Sequence, residues 1–268
     1  MPSILQERVL LEPAVRTVDR PLGPDQYRYV ATRGWWMGSF GTSGGMLLHL
    51  TEQWIRQWIP ARPERDWLLD REVTGRVQWL TGSAREADEQ GFALADAVPT
   101  GRYRAAHGDF YAALDDLAPR RRPGTWHAPS AEFLARLPRD PKALLARLCA
   151  DGPEGRTASQ PFARAVGALR SGLVPADLRA AFYAALVALP AVSVDENAKD
   201  LDGHARMALV HDDGPTRTEL LVDPDDGSFA GECDTLRTAS RLGLAVGTVV
   251  LCTTVVSTVV DTLGGLPT

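Results

Sequence analysis

The feature that most limits the fold is an order of patterns: strand-like alternation, then a block of capped helices, then strand-like runs again. In the central block Ser130 can cap a short helix through Leu137, and Asp140-Pro141 is an N-cap and N1 pair for Lys142 to Cys149. Ser159 caps a third helix, in which Phe162, Val166 and Leu169 share a face and Gly172 supplies the stop. Pro175 opens a fourth, through Leu178, Phe182, Leu186 and Leu189, and Pro190 ends it. Amphipathic faces of this kind must lie on an apolar surface.

The flanking thirds supply that surface. Gln26 to Thr32 alternates Tyr27 and Tyr29 against Arg28 and Val30, and Leu47 to Ile59 sets Trp54, Arg56 and Trp58 opposite Ile55 and Ile59. Trp67 to Glu72 and Arg76 to Leu80 follow around Gly75, and Ser83 to Gln90 reads as a short polar helix. After the helices come Val192 to Val194, Arg206 to His211, Thr216 to Asp223, Ser228 to Thr238 and Thr248 to Asp261. Asp212-Asp213-Gly214 and Pro224-Asp225-Asp226-Gly227 are hairpin punctuation between them. Strands, helices and an antiparallel meander in that order indicate α+β rather than a doubly wound fold. The expected architecture is one continuous antiparallel sheet covered on one face by the central helices. Residues 1–25 read as an N-terminal extension and 26–268 as one domain, with strands at 26–80, helices at 130–190 and a strand meander at 192–261.

Composition narrows the function. A net charge of −5 argues against nucleic acid or an anionic membrane surface as partner, since both need clustered positive charge. All but two of the 29 basic residues are arginine, a signature of a GC-rich genome. No basic leader precedes an apolar stretch at the N-terminus, so no secretory signal is expected. The longest apolar run, Ala245 to Val260, is short for a membrane-spanning helix and its Val/Thr content favours a strand, so no stable membrane insertion is expected. Cys149, Cys233 and Cys252 are odd in number and widely spaced, which suits reduced thiols and a cytoplasmic location.

Chemical motifs are sparse. The five histidines have no helical metal spacing, so no metal is expected. Gly34, Gly38, Gly41, Gly44 and Gly45 match neither a P-loop nor GxGxxG and read as a mobile connection between strands, or a lid. There is no GxSxG, the cysteines sit in helix or strand interiors and read as packed small hydrophobes, and there is no cofactor motif. Acid–base chemistry needs only one positioned group. Candidates are His49 and Glu52 near Trp54, Tyr103, His107 beside Asp109, and the mid-strand Glu219. All seven tryptophans fall in the first 126 residues. Tyr27, Tyr29, Trp35, Trp36, Trp54, Trp58, Trp67, Trp79 and Trp126 are therefore the expected lining of an apolar ligand cavity on the concave sheet.

Leu137 to Leu145, Leu169 to Pro175, Arg179 to Pro190, Glu219 to Pro224, Val259 to Asp261 and Leu266-Pro267 carry a resemblance. Together they resemble an actinobacterial family of often membrane-anchored proteins known mainly by a locus tag. The resemblance runs from about Gln26 to Pro267, without the family's cytoplasmic head and spanning helix. The family's outer domain is similar in layout to the LolA-like half-barrels that carry lipoproteins and lipids. That likeness implies a curved antiparallel sheet, a half-barrel, wrapping the central group of helices and an apolar cavity. The shared family motifs read as scaffold, and no catalytic residues carry over from them. The expected function is binding of a hydrophobic small molecule, foremost as a cofactor-independent cyclase or isomerase of polyketide-like natural products. The alternative is a non-catalytic carrier or sensor of a lipid-like ligand.

Overall fold

In a computed structural model the described residues are 15–42, 45–62, 64–93, 98–112, 117–151, 159–212 and 214–267. Three long strands come first: β1 (Tyr27–Thr42), β2 (Gly45–Pro60) and β3 (Asp66–Thr81), followed by helix α1 (Ala84–Glu89) and the edge strand β4 (Gly101–Ala106). Four helices follow, α2 (Ala131–Ala135), α3 (Pro141–Ala150), α4 (Ser159–Leu169) and α5 (Ala176–Val187). The chain closes with β5 (Val192–Lys199), β6 (Ala205–His211), β7 (Thr216–Val222), β8 (Phe229–Leu236) and β9 (Val249–Val260). All nine strands join one antiparallel sheet in the order β4-β3-β2-β1-β9-β8-β7-β6-β5. The sheet is open and curled, an α+β half-barrel.

Local chemistry sets the helix starts. The Ser83, Ser130 and Asp140 side chains accept from the backbone N–H groups of Glu86, Phe133 and Ala143, satisfying donors that a helix end leaves open. The Ser159 side chain lies outside the described residues, as do Gly44 and Asp213. Pro175 has no side chain to cap α5, and a residue far away in sequence does the work: Asp19 Oδ2 accepts from Ala176 N–H at 2.8 Å.

The helices cover one face of the sheet, called inner below. Leu144, Leu148, Phe162, Leu169, Leu178, Phe182 and Leu186 are fully buried against Val30, Ile59, Leu209, Leu220, Val222, Phe229 and Val255. Each such side chain contributes about 1.5–3 kcal/mol on leaving water. The outer face carries two smaller apolar clusters, one of Tyr27, Tyr29, Ala31, Trp58 and Val260, the other of Ala208, Val210, Leu221 and Ala230. Residues 15–25 follow the body of the fold: Val15 packs on the main core and Val18 N–H donates to Asp226 O.

Three expectations need correction. Gly34, Gly38 and Gly41 are not in a loop or lid; they lie inside β1, which runs on to Thr42. A Cβ at Gly34 would sit 2.7 Å from the Thr253 side chain and 2.8 Å from Cys252 O, so glycine here admits the neighbouring strand β9. Second, Cys233 and Cys252 form a disulfide, because the ladder places them directly opposite with Cα atoms 4.1 Å apart. Third, Cys149, expected as interior packing, is a free and exposed thiol. No helix among the described residues is long and apolar enough to cross a membrane.

Candidate functional site

The inner face holds a continuous transverse row. In an antiparallel ladder, directly opposed residues point to the same side. Reading across, His211 opposes Thr218, Thr218 opposes Asp234, Asp234 opposes Leu251, Leu251 opposes Trp36, Trp36 opposes Thr51, and Thr51 opposes Val77. The row begins beneath α4, where Phe162 meets the buried His211 ring at 5.2 Å. It then continues to Trp36, Leu251 and Val77, which are only partly buried. It thus joins an apolar strip to a polar end.

At that polar end lie two carboxylates on one strand. Glu232 is buried and takes a bidentate pair from Arg170 at the C-terminal side of α4, at 2.6 and 2.8 Å. Burial pushes its carboxyl up while Arg170 pulls it back. Asp234, two residues on, has no ion pair within 4 Å among the described residues, and its Oδ1 is buried without a hydrogen-bond partner there. Burial pushes the Asp234 carboxyl above the ordinary aspartate range, against a hydrogen bond from Thr218 and the attraction of Arg170. A carboxyl whose pKa is raised by burial, beside an apolar strip, can donate or accept a proton.

Sequence reasoning missed Asp234 because of a bulge. Phe229 faces the inner core, so strict alternation would turn position 232 outward. The ladder instead pairs Val222 with Phe229 and Leu221 with Gly231, inserting Ala230 as an extra outward residue. Glu232 and Asp234 are thereby turned inward. Gly231, at φ +146°, is the local signal for the irregularity.

The expected site residues fall into several places. Tyr27, Tyr29, Trp35, Trp54 and Trp58 are on the outer face, away from the row. Trp58 is wholly buried beneath the C-terminal segment, donating to Gly265 O at 2.6 Å, with Tyr29 at 5.2 Å. Trp54 lies between Arg56 and Arg33, whose guanidinium carbons are 4.8 and 5.8 Å from its ring, and Arg76 covers Trp35 at 5.2 Å. Glu52 is buried on the same outer face and already occupied, accepting from Thr74 Oγ1 at 3.0 Å and Arg76 Nη1 at 3.1 Å. Glu219 is also outward, paired with Arg217 at 2.6 Å. Trp67 and Trp126 belong to the helix-covered core, where Trp126 donates to Asp151 at 3.0 Å.

Trp36 and Trp79 are on the inner face, Trp36 within the row. His49 packs between Trp79 and Phe92, with ring centroids 5.2 and 5.1 Å away, and burial pulls its pKa below the ordinary histidine value. It sits on β2, three strands from Asp234. Tyr103, on the edge strand β4, donates to Thr100 O at 2.8 Å. His107 is exposed in the following turn, and Asp109 binds Arg122 at 2.8 Å rather than His107. The expected acid–base groups therefore do not converge. Asp200, Asp202 and His204 come together near β5 and β6, but Asp200 is taken by Arg206 and backbone N–H groups and Asp202 by Arg33.

No family model, curated protein or solved structure matches the chain.

Proposed function

We propose that the protein binds a hydrophobic small molecule along the inner transverse row, with a polar end of the molecule at Asp234. The observation that carries this reading is the orphaned Asp234 Oδ1 in line with Leu251 and Trp36. Burying an unpaired polar atom costs about 1–3 kcal/mol, and a ligand hydroxyl or carbonyl would offset that cost. The reaction we assign is a cofactor-independent isomerisation or cyclisation of a polyketide-like molecule. The strip orients the carbon skeleton and Asp234 exchanges a proton with it. The resemblance to LolA-like half-barrels supports the same placement of a ligand, between curled sheet and helices.

A second reading is a non-catalytic carrier or sensor. It is favoured by the scattering of His49, Glu52, Tyr103 and His107, which leaves Asp234 without a partner acid or base from that set. Native mass spectrometry of freshly purified protein, followed by transfer into D2O, separates the two. The enzyme reading predicts a bound apolar molecule that gains deuterium at carbon, slowed about 100-fold or more in Asp234→Asn. A bound molecule without exchange in either protein selects the carrier. Protein that retains no small molecule and binds no apolar probe contradicts both. A cytoplasmic location is likewise our proposal, and it must accommodate the Cys233–Cys252 disulfide, a bond typical of oxidising compartments. Alkylation before lysis tests it: a cytoplasmic protein should show three labelled thiols, the Cys233–Cys252 bond closing only on oxidation after lysis, whereas labelling of Cys149 alone would overturn the location.

A further inference from the structure

A second site lies at the other end of the inner face. A crevice with an interior of about 30 Å³ opens between the N-terminal segment, the α4–α5 connection and strands β8 and β9. That is room for about two waters or one small ionic group. Its walls include Leu169, Val174, Phe229 and Val255, and its polar rim carries Ser228, Ser257 and Thr258. Arg28 enters it from β1, on the same side as Val30, opposed by Ile59 and Val259.

The charges around Arg28 are unevenly satisfied. Arg179 is well satisfied, using four of its N–H donors on Asp19, Val18 O, Val174 O and Gly227 O. Asp19 has both oxygens engaged, Oδ1 by Arg179 and Oδ2 by the first N–H of α5. Asp226 Oδ1 accepts from Ser228 N–H, and Arg20 donates to Thr258 Oγ1. Arg28 has neither a hydrogen bond nor an ion pair within 4 Å among the described residues, and only the more distant Asp19 attracts it. Three guanidinium groups line the crevice against two carboxylates. A planar fork of donors, partly withdrawn from water and lacking an acceptor, matches an oxyanion in charge and shape.

We propose that this crevice binds an oxyanion, the carboxylate or phosphate end of a small molecule, with Arg28 as its principal ligand and Ser257 and Arg20 beside it. The interior holds only the anionic head, and a short hydrocarbon tail would run out along the apolar walls. The site is separate from the Asp234 row and does not depend on the function assigned there.

Thermal midpoints of the full chain, measured with inorganic phosphate, acetate or octanoate against sodium chloride of equal ionic strength, test the proposal. Wild type should be stabilised by at least one of the three beyond chloride. Arg28→Gln should bind that anion about tenfold or more weakly, as expected for a lost charge-assisted bond. Arg28→Lys, which keeps the charge and loses the fork, should fall between. Phosphate and acetate acting alike marks a site for free anions; octanoate acting alone marks the head of an amphiphile. Arg28→Gln should itself melt no lower than wild type in chloride, because it removes an uncompensated, partly buried charge. Equal responses in wild type and Arg28→Gln, or no response beyond chloride to any of the three, would overturn the assignment.

Discussion

At Asp234 two opposed effects meet. Burial disfavours the charged carboxylate, while Thr218 and the more distant Arg170 favour it, and burial wins. The carboxyl is thus higher in the folded protein than in the unfolded chain, so between those two values the folded state holds more protons. Stability must then fall as pH rises through that window, the opposite of the usual paired aspartate. Asp19 is the counterexample. Burial pushes it up, but the Ala176 N–H and Arg179 outweigh that and hold it below the ordinary range, so its contribution is lost as pH falls. Asp234→Asn should therefore raise unfolding stability at pH 7 by about 1 kcal/mol and gain less than wild type on acidification towards pH 4, close to the ordinary aspartate value. Urea denaturation at both values checks this, and a destabilised variant at pH 7 would mean that the charge is satisfied. Gly231 is the second decisive residue. A Cβ there would lie 2.2 Å from Thr253 O, at φ +146°. Gly231→Ala should cost at least about 2 kcal/mol in the same assay. This residue also marks where alternation stopped being legible, because a bulge changes which face follows it without changing residue type.

Among the elements, legibility followed the strength of local signals. Helices with a side-chain cap and a proline, such as α3, stand where Asp140-Pro141 places them. The alternation that marks β1 stops at Thr32, where its glycines read as a loop; what they meet, the backbone of β9 and the ring of His49, comes from elsewhere in the chain. Strand β4 lies in a stretch without pattern, as an edge strand held by β3 alone can. The Cys233–Cys252 pair was illegible for the same non-local reason: register, not spacing, makes them partners. It joins β8 to β9 where only three residue pairs form the ladder. Closing a loop of 19 residues, the bond should be worth about 3 kcal/mol on the chain-entropy model. Thermal melts with and without a phosphine reductant, with Cys252→Ser as control, should show that loss. Identical melts of the oxidised and reduced protein would mean that the bond does not form.

For the whole molecule, one sheet with a helical cover was readable from the order of patterns, since four amphipathic helices need one apolar sheet face, whereas its curl into a half-barrel was implied only by the resemblance. The site was not readable, because tryptophan serves cores and pockets alike. Trp58 and Trp54 went to the outer face, one beneath the C-terminal segment and one into arginine stacking, whereas Trp36 stayed inside. The central claim is that the inner face, and not the outer aromatic face, takes an apolar ligand. Strand β9 offers a matched pair of positions, with Leu251 in the inner row and Val256 exposed on the outer face. Nile red, a neutral apolar dye, can be titrated against wild type, Leu251→Glu and Val256→Glu, each checked for folding by circular dichroism. The account predicts that Leu251→Glu abolishes dye binding while Val256→Glu leaves it unchanged. Loss at Val256→Glu with retention at Leu251→Glu would contradict it.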